Sequence, residues 1–146
     1  MDYTLADLGR ITGAKRRSLQ LWADARAIIA ELPTDHAGTG VHRRFSRDEA
    51  IIACIVSAFA AQQISIGGLV EIAKSVRSFL SVSATRKMII EPAIAGDDRW
   101  MLVYESWSGG SKVHASPEQP DLKNIRKPGG FAVIICLSNY LGRIEE

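Results

Sequence analysis

The chain has few of the residues that build metal sites, disulfide frameworks or membrane spans. Cys54 and Cys136 are its only cysteines. Each lies in apolar sequence, and neither has a second cysteine or a histidine at metal-ligand spacing. That argues against a structural zinc or a disulfide and makes both small buried hydrophobes, with a redox role for Cys136 left open. No apolar run approaches the roughly 20 residues that a membrane-spanning helix needs; the longest, 50–61, is interrupted by Ser57. The start, Met1-Asp2-Tyr3, lacks the basic and apolar stretches of a signal peptide. A cytoplasmic protein without membrane contact is therefore expected. Histidine is scarce: His36, His42 and His114 are scattered and meet no Ser, Cys or carboxylate in a catalytic arrangement. No P-loop, dinucleotide glycine fingerprint or metalloprotease motif occurs. An enzyme is not expected, and neither is a cofactor or a bound metal. The chain also lacks an excess of one charge. Its 18 basic and 16 acidic residues leave a net charge of +2, which by itself gives little reason to expect a nucleic-acid partner.

What is present is organised. The 146 residues, 47% hydrophobic and 23% charged, suit one ordinary globular domain or two small ones. Thr4-Leu5-Ala6-Asp7 reads as a capping box with Asp in place of the usual Glu or Gln. It opens a helix whose apolar stripe is Leu5, Leu8 and Ile11, ended by Gly13 in a left-handed turn. A second helix over residues 15–27 turns Leu19, Trp22 and Ala23 inward and directs Arg16, Arg17, Gln20 and Asp24 elsewhere. Four basic residues and no acid lie between Arg10 and Arg17. A second cluster, His42-Arg43-Arg44-Phe45, follows a Gly/Thr/His loop. Two short helices around a tight turn, the second opening on cations, form the layout of a helix-turn-helix. The later cluster would sit on a wing, with a hairpin tip near Gly38 and Gly40 and a short strand over 41–45. Residues 28–32 either extend the second helix or pack as a short strand, and Pro33 stops any helix.

Ser46-Arg47-Asp48-Glu49 reads as a full capping box that starts a helix running to about Gln63. Ser65 caps another to Leu80, with Leu69, Ile72, Ala73, Val76 and Leu80 repeating at three and four. Residues 81–85 read as a linker or short extended segment. Strands follow over 99–107 and 112–115, with Ser108-Gly109-Gly110-Ser111 as the hairpin turn. Residues 116–130 form a polar, Pro-containing loop, 131–137 a further strand, and 138–144 a closing helical turn. The expected fold is α+β, a mostly helical winged helix-turn-helix over 1–80 followed by a small antiparallel β unit over 81–146 that serves dimerisation or regulation. Trp100 and Trp107 are sheet core, dimer interface or, with less weight, the lining of a ligand pocket.

Residues 1–80 resemble the DNA-binding region of MerR-type transcription regulators. The likeness rests on Tyr3-Thr4-Leu5, Leu8, the Thr12-Gly13 turn, Arg17-Ser18-Leu19 where the family commonly has Arg-Thr-Leu, and Arg43-Arg44-Phe45-Ser46 where it has Arg-Arg-Tyr-Ser. Ile64-Ser65-Ile66 with Glu71-Ile72 is similar to the family's final helix pair. The chain departs from it at Leu21-Trp22, where the family has paired aromatics, at Ala23, and in the 34–40 loop. The metal sensors' cysteine motifs are absent. The resemblance implies that Arg17 contacts DNA backbone or bases. The residue types extend this to a surface of Lys15, Arg16, Arg17, Ser18, Gln20, His42, Arg43 and Arg44, since guanidinium groups fork onto phosphate or guanine and short polar groups reach a phosphate or a base edge. The bland alternative makes one or two of these arginines mere partners of Asp7, Asp24 or Asp48.

The leading expectation is a homodimeric, sequence-specific regulator bound to double-stranded DNA, because a single small helix-turn-helix makes too few base contacts for tight binding. One alternative is an excisionase-like or phage-type architectural factor. The other is a protein-interaction or small-ligand module in which an unknown effector binds the C-terminal unit.

Overall fold

The computed structural model of the chain describes residues 2–35, 42–105, 111–121 and 132–144. The Thr4 hydroxyl accepts from the Asp7 N–H at 3.2 Å, and the Asp7 carboxylate accepts from the Thr4 N–H at 2.8 Å. Both halves of the capping box are thus made at the start of α1, Leu5–Thr12. Gly13 closes α1 with φ 73°, where a Cβ would be strained. Helix α2, Arg16–Asp24, follows, burying Leu19, Trp22 and Ala23. It stops short of the expected Ala27. Arg26 takes φ 64°, its N–H donates to the Ala23 carbonyl at 3.1 Å, and the Ala27 N–H donates to the Trp22 carbonyl at 2.8 Å. This is a Schellman closure with arginine at the left-handed position. Residues 28–31 then neither continue the helix nor form a strand. Pro33 does not stop a helix; it lies in the first turn of α3, Leu32–Asp35, where a missing N–H leaves no intrahelical bond unmade.

The expected wing tip at Gly38 and Gly40 lies outside the described residues. On the return side, the expected strand over 41–45 is reduced, within those residues, to an isolated bridge at Phe45. Phe45 exchanges two backbone hydrogen bonds of 2.8 Å with Tyr3. The Arg44 carbonyl accepts from Glu31 N–H at 2.8 Å, and the Arg44 N–H donates to the Thr34 hydroxyl at 3.0 Å. Successive backbone groups are claimed by different partners, so no ladder propagates.

Helix α4, Arg47–Ala60, buries nine of its fourteen residues, as a helix at the centre of a fold must. Only half of its capping box forms. The Ser46 hydroxyl accepts from Glu49 N–H at 3.2 Å, but the Glu49 carboxylate is drawn away to Arg77 and Ile29. The helix ends before Gln63, which has φ 63°. Helix α5, Ile66–Leu80, is capped by Ser65 and buries all five expected positions of its apolar stripe. A Cβ at Gly68 would come within 2.7 Å of Ile64 Cγ2, so a side chain there would force Ile64 to shift.

Residues 81–85 are not a linker. A continuous helical stretch runs through α6, Ser83–Thr85, a π-helical segment, Arg86–Ile90, and α7, Glu91–Ile94. Pro92 explains the π segment. In an α-helix its ring would collide with the carbonyl four residues back, at Met88. The wider turn relieves that contact, and the Met88 carbonyl instead accepts from Arg99 Nε at 2.7 Å.

Strands β1, Trp100–Glu105, β2, Ser111–Ser116, and β3, Ala132–Cys136, form an antiparallel sheet in the order β2-β1-β3. Met101, Val103 and Ile135 face the core, while Trp100 lies half-buried on the other face and Trp107 lies outside the described residues. A short helix α8, Ser138–Leu141, follows. The fold is thus α+β, helices first and strands after, with one buried cluster running from Tyr3 to Ile144. Cys54 is buried, and burial pushes its thiol up to about 12. Cys136, expected inside, is only half-buried because it lies beside the exposed Asp98, 3.4 Å from the carboxylate, and 3.2 Å from the Ser138 hydroxyl. No helix among the described residues is long and apolar enough to cross a membrane.

Candidate nucleic-acid interface

Helix α2 begins in an unusual electrostatic state. Its N-cap is Lys15, which makes no side-chain cap, and its first turn holds no acid. Free N–H groups and the aligned peptide dipoles make a helix start positive and favour anions there. Lys15, Arg16 and Arg17 add three cations to that end, all exposed. Among the described residues, no hydrogen bond or ion pair engages their side chains. Folding gains nothing from this placement, and a bound anion would gain a great deal.

The second cluster converges on the first. Arg16, His42 and Arg43 line one open cleft of about 260 Å³ together with Thr4, Leu5 and Ala6 at the start of α1. His42 and Arg44 are exposed. Arg43 is different: its side chain is only 18% exposed, and its guanidinium bonds the Asp24 carboxylate at 2.8 Å and reaches the Asp35 carbonyl at 3.4 Å. It thereby straps residues before the bridge at Phe45 to the far end of α2, and it neutralises the one carboxylate on the outer face of that helix. Ser18 is half-buried and Gln20 exposed. The structure thus brings Arg16, His42 and Arg43 into one cleft, leaves Lys15, Arg17 and Gln20 on the adjoining outer face of α2, and places Arg44 apart from the cleft lining. Asp7, at the start of α1, is held below the ordinary carboxylate range by hydrogen bonds from the Thr4 backbone and hydroxyl, with Arg10 adding to the effect.

Behind this surface lies a set of polar contacts that the sequence reading missed. Glu49 accepts from Arg77 Nε at 2.7 Å, from Arg77 Nη2 at 2.9 Å and from the Ile29 N–H at 2.8 Å. Arg77 also donates to the Ala27 carbonyl at 2.8 Å. One bidentate pair therefore fixes the chain leaving α2 to both α4 and α5. Two further pairs start from the same turn of α4. Asp48 pairs with Arg86, and Arg47 pairs with Glu91 at 2.9 Å, a contact that raises the arginine's pKa. The missed signal was Arg77 itself, which sits one turn from Ala73 and Leu80 on an otherwise apolar stripe, where an arginine requires a carboxylate partner.

No family model matches the chain, and no curated protein matches it in sequence.

Proposed function

We propose that the protein is a sequence-specific DNA-binding transcription regulator that works as a cytoplasmic homodimer. Helix α2 enters the major groove, and the residues around His42 and Arg44 contact the flanking backbone, in the manner of the MerR-type regulators that residues 1–80 resemble. One observation carries this reading. The exposed Lys15, Arg16 and Arg17 stand at a positive helix end without a side-chain partner among the described residues, beside a cleft shared by Arg16, His42 and Arg43. That arrangement suits DNA phosphates and guanine edges. Arg43 serves the interface by fixing α2 and masking Asp24, which would otherwise repel the phosphate backbone.

A mobility-shift titration of the full chain on genomic fragments tests the proposal. Wild type selects a dyad site, and the affinity falls steeply with salt. Replacing Arg16 and Arg17 with alanine weakens binding and reduces the logarithmic salt slope by about 1 for each phosphate that is no longer neutralised. Unchanged affinity and slope in that variant would sink the proposed surface. A footprint of tandem direct repeats in place of a dyad would move the assignment to an architectural factor.

A further inference from the structure

The outer face of α2 carries one residue that the charge pattern does not explain. Leu21 is 55% exposed. Scattered surface leucines are ordinary, but this one stands one turn after Arg17 and next to Gln20, on the face opposite the buried Leu19, Trp22 and Ala23. Residues four apart on a helix lie on one stripe, so Arg17 and Leu21 point the same way. The next polar group on that face, Asp24, is occupied by Arg43. Leu21 takes no part in the buried cluster, so the fold does not account for it.

We propose that Leu21 determines base specificity by packing on the C5-methyl group of a thymine in the major groove. The inference rests on the DNA-binding reading above and names what that same surface recognises. Among the edges exposed in the major groove, only thymine offers an apolar group, and aliphatic side chains read it by contact. Leu21 lies about 6 Å beyond Arg17 along the helix axis, against a base step of about 3.4 Å. The half-site accordingly holds a thymine, on either strand, within one or two steps of the pair that Arg17 contacts. Leu21 has no hydrogen-bonding atoms, so the discrimination is against cytosine and against thymine without its methyl.

The full chain is first used to select its preferred duplex from a random pool. Each thymine of the selected half-site is then replaced in turn by deoxyuridine, which removes the methyl and leaves base pairing intact. Wild type is expected to lose about fourfold in affinity at one position, the factor that corresponds to burying one methyl group. Leu21→Ala is expected to lose a similar factor on the thymine duplex and to be indifferent to deoxyuridine at that position, with an unchanged melting curve. Equal deoxyuridine costs for wild type and Leu21→Ala at every position would overturn the role of Leu21 while leaving DNA recognition intact. Failure of wild type to enrich any sequence would instead overturn the DNA-binding reading and this inference with it.

Discussion

Helices α2 and α4 begin in opposite ways. Helix α4 starts on a serine cap with Asp48 and Glu49 in its first turn, and each charged side chain of that turn has a partner on a later element: Arg47 on Glu91, Asp48 on Arg86 and Glu49 on Arg77. Helix α2 starts on an uncapped lysine with two more cations and, among the described residues, no partner for any of them. The first arrangement is what stability alone would select. The second costs stability, since each cation at a helix start is unfavourable by roughly 0.3–1 kcal/mol. The two starts differ in whether the fold itself supplies the partners, and the proposed DNA contact would supply those that α2 lacks.

The contrast can be broken from either side. The largest effect is expected at the Glu49–Arg77 pair, which is 12% and 24% exposed. Arg77→Ala leaves Glu49 half-buried without its counter-charge and should lower unfolding free energy in urea by about 2–4 kcal/mol. The Glu49→Gln and Arg77→Met double variant should lose less than the sum of the two single changes. Next comes the α2 start itself. Lys15→Asp supplies a cap and reverses one charge, so thermal stability should rise by about 1 kcal/mol while DNA affinity drops at least tenfold. A variant that gained stability without losing affinity would dissolve the contrast. Ser46→Ala removes the cap bond to Glu49 and should cost about 1 kcal/mol in denaturant, with DNA affinity unchanged once folding is allowed for.

The smallest effect concerns acid. Asp7 is held below its ordinary value by Thr4, so the folded state binds the proton less readily than the unfolded chain. Its contribution is complete above about pH 4 and disappears as pH falls through the lowered folded value. Asp7→Asn should remove only that limb of the stability profile, leaving the profile above about pH 5 parallel to wild type.

What the sequence disclosed was mostly short in range. The Thr4–Asp7 box, the Gly13 turn, the inward face of α2 and the stripe of α5 each follow from neighbours three or four residues apart, and all are seen. The three strands of the sheet fall within about a residue or two of the expected 99–107, 112–115 and 131–137, and β1 and β2 pair in antiparallel register, Val103 opposite Val113. The alternation over 41–45, by contrast, yields only the bridge at Phe45 within the described residues. The failures have distant causes. Glu49 abandons its box because Arg77, 28 residues on, outcompetes a single backbone N–H. The helix over 83–94 was hidden because Pro92 normally forbids one; the wide turn over 86–90 relieves its clash, and Arg99 bonds the Met88 carbonyl left free. For the candidate site, the two basic clusters were visible in sequence, and so was Asp24 as a partner for one of their arginines; that the arginine is Arg43, and that Arg16 meets His42, depends on how α1, α2 and residues 42–45 assemble.

The π-helical segment has a consequence for insertions and deletions. Its Glu91 N–H bonds back to the Arg86 carbonyl, so the turn holds one residue more than an α-helical turn requires. Deleting a single residue within 86–90 would let this turn close as an α-helix and leave everything downstream near its present phase, because five residues of the wide turn sweep the angle that four α-helical residues do, about 400°. Glu91 would stay near Arg47 and Ala93 in the core, but the ring of Pro92 would again meet the carbonyl four residues before it. The segment thus holds its extra residue to accommodate Pro92 and not to set the phase of the helix, and it tolerates changes in side-chain identity at exposed Lys87 and Met88.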